Sequence, residues 1–319
     1  MSKPTTQLRP LGQYIAPRYW PTWVFYGFLR LVAKLPFSWQ IAIGTFLGKL
    51  SYHLAKDRRD AAEVNIRLCF PELSAKEQEA LVRKTFVANG IGLVEIAMAW
   101  FGDKDRFNDK ITVTGLSNFQ TAKAKGKGVL LLGAHFSTLE MGGLLFSKVD
   151  ELDATYRPND NPFFDAIMFN GRKRNLSGLF DRKSIRQAMK SLRAGKVLWY
   201  APDQDYGPKN SVFAPFFGND AATIIATSRY AAFNDSPVIF FSHYRNEDNS
   251  GYTIDFSPII ENYPTGDDVK DATTINQAVE TAIRRHPDQY LWLHKRFKTQ
   301  KAGEHARPYN DKKARLARG

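Results

Sequence analysis

The residues best placed to do chemistry in this chain are a histidine and an acid five positions apart. They are His135 and Glu140, in GVLLLGAHFSTLEMG, residues 128–142. A neutral imidazole accepts a hydroxyl proton through one ring nitrogen. A carboxylate on the other nitrogen fixes the tautomer and stabilises the imidazolium that forms. A hydroxyl activated in this way attacks an acyl carbon directly, and the protein need supply no nucleophile. None is evident. There is no G-x-S-x-G elbow, and Cys69, the single cysteine, has no histidine close by in sequence.

Spacing alone is a weak signal. Six histidines, with acids at about one position in ten, give roughly 0.6 such pairs by chance. The second pair, His243 and Asp248, lies in HYRNEDNSG, which reads as a polar hairpin loop between two strands. Only His135 has a strand–turn–helix setting. On one helix the two side chains would stand about 140° apart, so His135 must occupy the turn before the helix. Ser137 or Thr138 can cap that helix, with Glu140 in its first turn.

Three charged clusters close other segments. They are Tyr156-Arg157-Pro158, Phe180-Asp181-Arg182-Lys183, and WYAPDQDY at 199–206. Any one alone reads as an exposed turn. If they end strands of one sheet, they meet near His135, because open α/β sheets bind ligands at their carboxyl edge. Arg157, Arg182 and Lys183 would then hold phosphate or carboxylate groups. Asp203 and Asp205 would orient those cations or accept a sugar hydroxyl. His294, flanked by Lys295 and Arg296, suits a structural or secondary binding role. His53, His286 and His305 have no chemical context.

The elements that must position these groups come next. From about residue 111, short apolar runs alternate with helical runs, as in an α/β domain with a mixed, largely parallel central sheet flanked by helices. Strands are expected at 129–132, 154–156, 197–200, 238–244 and 252–256. A helix starts at Asn161-Pro162, and another runs from Ser184 to a stop at Gly195. Upstream, Ser74 and Glu77 form a capping box for one helix, and 90–100 suggests a second. The expected division is an N-terminal hydrophobic segment of anchor or interfacial helices at 1–57 and one main domain at 58–319, made of a helical lead-in at 58–110, an α/β core at 111–298 and a basic tail at 299–319.

Residues 19–55 are rich in Trp, Phe, Leu and Ile, but Arg30, Lys34 and Pro36 interrupt them. No clean run of about 18–20 apolar residues exists, and no small-residue cleavage site follows. Two readings remain: a spanning or interfacial membrane segment with Trp20, Trp23, Tyr26 and Trp39 at the interface, or a buried helical hairpin. The basic flanks favour the membrane. Lys and Arg number 45 against 32 acids, a net charge of +13, which calls for an anionic partner: nucleic acid, anionic lipid or an acidic carrier protein. One cysteine excludes an internal disulfide framework and a cysteine-built metal site, and fits a reducing, cytoplasmic setting.

Seven stretches in order carry a family resemblance: PRYWPTW, FPELS, AHFSTLEMG, YRPNDNP, DRKS, WYAPDQDYGP and WLHKRFKT, from Pro17 to Thr299. The chain resembles the lipid A biosynthesis acyltransferases, the lauroyl-transferring group most of all. The resemblance implies a glycerolipid-acyltransferase-like catalytic domain with an N-terminal hydrophobic helix, at the cytoplasmic face of the bacterial inner membrane. It implies transfer of a fatty acyl group, typically lauroyl, from acyl carrier protein to the Kdo-bearing tetraacyl lipid A precursor, Kdo2-lipid IVA. It carries the catalytic roles onto His135 and Glu140, with Glu where the wider glycerolipid acyltransferase superfamily has Asp. A thioester donor brings its own activation, so no cofactor or metal is expected.

The residues agree with that implication. Arg172-Lys173-Arg174 would serve as a rim for the acidic carrier, or stand as a solvated helix face. Phe163, Phe164, Phe213, Phe216 and Phe217 would line an acyl tunnel or form core. Two rivals differ in class. A glycerophospholipid acyltransferase would share the mechanism, and a non-catalytic nucleic-acid or membrane binder would leave the placement of His135 unexplained.

Overall fold

The computed structural model describes residues 8–301 and 308–309. Most of the expected basic tail, and His305, lie outside them. Four helices open the chain: α1 (Trp20–Val32), α2 (Phe37–Leu54), α3 (Lys56–Cys69) and α4 (Ala75–Phe101). The Ser74–Glu77 capping box forms: Ser74 N–H donates to Glu77 Oε2 at 2.8 Å and Glu77 N–H to Ser74 Oγ at 3.4 Å. The helix it starts runs unbroken for 27 residues. The two helices expected across 74–100 are therefore one. Its glycines do not break it, because neighbours need the space. A side chain at Gly90 would overlap the backbone of Gly48 on α2, and one at Gly92 would meet the Ser137 carbonyl in the turn that carries His135.

The α/β region follows as β1 (Ile111–Thr114), α5 (Leu116–Ala124), β2 (Val129–Leu132), α6 (Leu139–Phe146), β3 (Leu152–Tyr156), α7 (Pro162–Lys173), β4 (Gly178–Asp181), α8 (Ile185–Arg193) and β5 (Val197–Tyr200). After these come β6 (Ser211–Phe216), β7 (Asn219–Ile224), α9 (Ala226–Asn234), β8 (Val238–Arg245), β9 (Tyr252–Phe256) and α10 (Asp268–Arg285). Seven strands make one sheet in the order β1-β9-β8-β2-β5-β3-β4, and β6 and β7 pair as a separate hairpin. Strands β8, β2, β5, β3 and β4 are parallel, while β9 runs antiparallel to β8 and parallel to β1. The mixed, largely parallel sheet expected from the sequence is present.

Strand β2 lies at its centre and is buried on both faces. Leu130 and Leu132 join one core, against α8 and α10; Val129 and Leu131 join the other, against α6 and α7. Strands β1, β4, β6 and β7 were not foreseen. Strands β1 and β4 are the four-residue edges of the sheet, and β6–β7 includes Pro215 and lies outside it. Edge strands carry a weaker apolar signal than the buried centre.

Helices α1 and α2 pack on α4 through one face each. The opposite faces show Trp20, Val24 and Leu31 on α1, and Trp39, Phe46, Leu50 and Leu54 on α2, each 42–75 % exposed. No helix among the described residues is long and apolar enough to cross a membrane. The spanning placement considered for this segment thus has no helix that fits it here.

Candidate active site

Five parallel strands end on one edge of the sheet. That edge gathers His135 after β2, Arg157 after β3, Arg182 and Lys183 after β4, and Asp203 and Asp205 after β5. All but Asp203 line a single cavity of about 1240 Å³, and His243 and His294 line it too. The sequence reading brought these groups together correctly. It did not assign their partners correctly.

His135 stands in the turn before α6, as expected. Leu132 pairs with Tyr200 across β2 and β5, and Gly133 N–H donates to Tyr200 O at 3.0 Å. Three residues beyond each paired position come His135 and Asp203. Equal offsets past parallel partners bring their side chains together. Asp203 Oδ1 lies 2.7 Å from His135 Nδ1, and Oδ2 accepts the His135 backbone N–H at 2.9 Å. The turn is braced from outside: Leu291 N–H donates to His135 O at 2.9 Å, and Ser137 N–H to Gln289 O at 2.7 Å. Gly133 has to be glycine, since a side chain there would overlap the Trp199 indole.

The Asp203 carboxylate is fully buried, and burial alone would raise its pKa. The charge of His135 and the hydrogen bonds from its ring and backbone outweigh that and draw the pKa down to about 2. Asp203 is therefore an anion that only accepts. By accepting at Nδ1 it fixes the tautomer of the neutral ring, in which Nε2 is the free base.

Glu140 does not take the place expected of it. It lies in the first turn of α6, but its carboxylate is turned to Arg172 of α7 and Trp100 of α4. Arg172 Nη2 and Nε donate to Oε1 at 2.5 and 3.0 Å, and Trp100 Nε1 donates to Oε2 at 2.7 Å. The physical reason is that Nδ1 of His135 is already occupied, while Glu140 has an arginine and an indole in reach. Burial disfavours the Arg172 charge, but the Glu140 carboxylate overrides this and raises its pKa. Both groups line the cavity.

Asp203 therefore braces His135. Asp205 braces the C-terminal segment, accepting Thr299 N–H at 2.6 Å, Thr299 Oγ1 at 2.8 Å and Gly207 N–H at 2.8 Å. His294 Nε2 accepts Asp205 N–H at 3.3 Å, in keeping with a structural role at the cavity wall. Arg157, Arg182 and Lys183 are exposed on that wall. Arg157 meets Asp160 at 3.3 Å, and the Arg182 guanidinium lies 6.0 Å from the Tyr206 ring centre. Lys209, Arg229 and Lys298 add further cations.

Three readings that the sequence left open resolve here. Arg172-Lys173-Arg174 is not a free basic rim: Arg172 holds Glu140, Lys173 caps Ser177 O at 2.5 Å, and Arg174 donates to Trp100 O at 2.5 Å. Phe163, Phe164, Phe213, Phe216 and Phe217 do not line the cavity. Phe163 stacks on Tyr14, and Phe216 and Phe217 pack in the core. The apolar lining is Leu152, Met168, Leu176, Leu179, Ile185 and Phe241, among others.

His243 lies inside β8, within the strand expected at 238–244 and not in the loop that HYRNEDNSG suggested, and is buried against Gly142. Thr138 Oγ1 donates to His243 O at 2.8 Å and so accepts from His243 Nδ1 at 2.9 Å. Burial, with the nearby His135 charge, lowers the His243 pKa to about 3, so this ring is neutral.

A family model described as bacterial lipid A biosynthesis acyltransferase matches residues 11–299. The Escherichia coli (strain K12) lipid A biosynthesis lauroyltransferase is 40 % identical over 288 residues, covering 90 % of this chain and 94 % of that one. The lipid A biosynthesis palmitoleoyltransferase of the same organism is 37 % identical over 293 residues, 92 % and 95 % of the two chains. A Haemophilus influenzae lipid A biosynthesis acyltransferase is 36 % identical over 290 residues, 90 % and 93 %. The match spans the sheet, the His135 turn and the cation-lined edge alike, and the chain is an acyltransferase that belongs to the bacterial lipid A biosynthesis family.

Proposed function

We propose that the chain moves a fatty acyl group, lauroyl first among the candidates, from the thioester of acyl carrier protein to a hydroxyl of the Kdo-bearing tetraacyl lipid A precursor. His135 Nε2 takes the hydroxyl proton, and Asp203 holds the ring and its tautomer. The freed oxygen attacks the thioester carbonyl, the tetrahedral intermediate collapses, and the thiol of the carrier leaves with the proton from His135. In this reading the N-terminal end of α6, which begins at Leu139 just after the His135 turn, favours the negative charge of the developing oxyanion. Glu140 holds the Arg172 guanidinium at the wall, where it can meet that oxyanion or an acceptor phosphate.

The observation that carries this reading is the His135–Asp203 pair in a cavity with an apolar lining and a ring of cations. Arg157, Arg182 and Lys183 suit an acceptor with several phosphate and acid groups. Curated relatives named for lauroyl, palmitoleoyl and myristoyl transfer share the family, and in this reading the apolar lining of the cavity is the part that would select chain length. The exposed apolar faces of α1 and α2 support an interfacial seat on the cytoplasmic face of the inner membrane, with the two helices lying in the headgroup region.

The test is acyl transfer from lauroyl-loaded carrier to Kdo2-lipid IVA, with glycerophospholipid acceptors in parallel. Wild type should turn over the lipid A precursor, and His135→Ala should lose about 10²-fold or more with its fold intact. Full turnover by His135→Ala overturns the mechanism. Preference for a glycerophospholipid acceptor moves the chain to that substrate class.

A further inference from the structure

A second cavity, of about 710 Å³, lies between α2, α4, the 246–251 turn and the short turn Pro287–Gln289. It shares no lining residue with the His135 chamber. Its two sides carry opposite charge. Lys49 of α2 and Arg83 and Lys84 of α4 face it from the helical side. Glu247 of the β8–β9 turn and Asp288 face it from the other. Lys49, Lys84, Glu247 and Asp288 form no ion pair among the described residues, although all four face one cavity. Arg83 is shared with Glu79 at 2.6 Å, and Arg245 is taken by the buried Glu95 at 2.6 Å. The remaining charges stand apart across the gap, as the ends of a dipolar ligand would require.

The position of the cavity names the ligand's source. Lys49 and His53 line it, and the next residues along α2, Leu50 and Leu54, belong to the exposed apolar stripe that Phe46 continues. Successive helix positions turn by about 100°. The cavity therefore opens on the flank of α2, between that stripe and the glycine face that packs on α4. With the stripe in lipid, this flank sits at headgroup depth, where Lys side chains reach phosphates.

We propose that this cavity binds a phosphoethanolamine headgroup of the surrounding bilayer. Lys49 and Lys84 meet the phosphate diester, and Glu247 and Asp288 meet the primary ammonium. The site rests on the interfacial reading of α1 and α2. It would fix the depth and tilt of the enzyme on the membrane, separately from the acceptor lipid in the His135 chamber.

The experiment measures binding of the full chain to two net-neutral vesicles, phosphatidylcholine alone and phosphatidylcholine with phosphatidylethanolamine. Neutral vesicles remove general attraction to the +13 chain. Wild type should prefer the ethanolamine vesicle by about threefold or more. Lys49→Gln with Lys84→Gln, and separately Glu247→Gln with Asp288→Asn, should each erase the preference. Phe46→Ser with Leu50→Ser should weaken binding to both vesicles and keep the ratio. A preference that survives in the Glu247/Asp288 variant reports looser lipid packing and overturns the site. Equal binding of wild type to both vesicles overturns it and leaves the interfacial reading standing. No binding to either overturns both.

Discussion

Asp203 grips His135 at two points, the ring Nδ1 at 2.7 Å and the backbone N–H at 2.9 Å. One carboxylate thus sets both the tautomer of the base and the place of its Cα. Asp203→Asn can satisfy only one of these with its carbonyl oxygen, and its amide then faces a second donor. We expect kcat to fall by about 10²- to 10⁴-fold with KM nearly unchanged. The double variant with His135→Ala should be little worse than His135→Ala alone, because the pair acts as a unit. Steady-state transfer assays on the three variants decide it. Near-normal turnover in Asp203→Asn would remove the aspartate from the mechanism.

The same carboxylate makes an acid-stability prediction. Its folded pKa, about 2, lies below the ordinary value of 3.8. A depressed pKa adds stability above the unfolded value and loses it as pH falls through the folded one. The contribution is about 2 kcal/mol. It should be fully present above about pH 4 and lost by about pH 2. Urea unfolding of wild type and Asp203→Asn should show a gap that narrows over that window. A gap constant with pH would mean that the stability lies in packing and not in charge.

The edge chemistry was legible because it rests on local signals. A buried run ending in Gly133-Ala134-His135, and clusters such as WYAPDQDY, mark strand ends without any knowledge of the fold. The pairing was not legible. That β2 and β5 are neighbours depends on the crossovers through α6, α7 and α8, and on α/β strand order, which no local pattern encodes. Asp203 was visible as a charged residue near the site, yet 68 positions separate it from His135. Glu140 was close in sequence and hence the natural choice, but Trp100 and Arg172 reach it from two other helices. His243 read two ways, as part of the strand expected at 238–244 and as the start of a polar HYRNED loop. Strand β8 runs to Arg245, so the ring lies in the interior, where Thr138 satisfies it, and the turn begins only after it.

The crossing of α2 and α4 has its own test. Gly90 lies against the backbone of Gly48, and Gly44 against the backbone of Ile91. Backbone cannot swing aside as a long side chain does. Gly90→Ala should push α2 outward and destabilise the fold by about 1–3 kcal/mol, despite the better helix propensity of alanine. Gly27→Ala on the open face of α1, where an added Cβ meets nothing, should be neutral or slightly stabilising. Thermal unfolding compares the two. An unchanged midpoint in Gly90→Ala would show that α2 is free to shift.

Glu140 and Arg172 separate two roles that a loss of activity alone would confuse. If Glu140 acted through the imidazole, Glu140→Gln would change the pH profile of turnover, as Asp203→Asn should. If it acts by holding Arg172, the profile stays and the loss falls on transition-state or acceptor binding. The geometry favours the second: Glu140 takes three short bonds from Arg172 and Trp100. We expect Glu140→Gln, which keeps an oxygen for one donor, to lose about 10- to 10²-fold in kcat/KM with an unshifted pH profile. Arg172→Lys should lose a similar amount, because one ammonium cannot replace a two-point grip on a carboxylate and also reach the substrate. The two losses should not add, since either change breaks the same unit. A shifted profile in Glu140→Gln with full additivity would return Glu140 to the histidine.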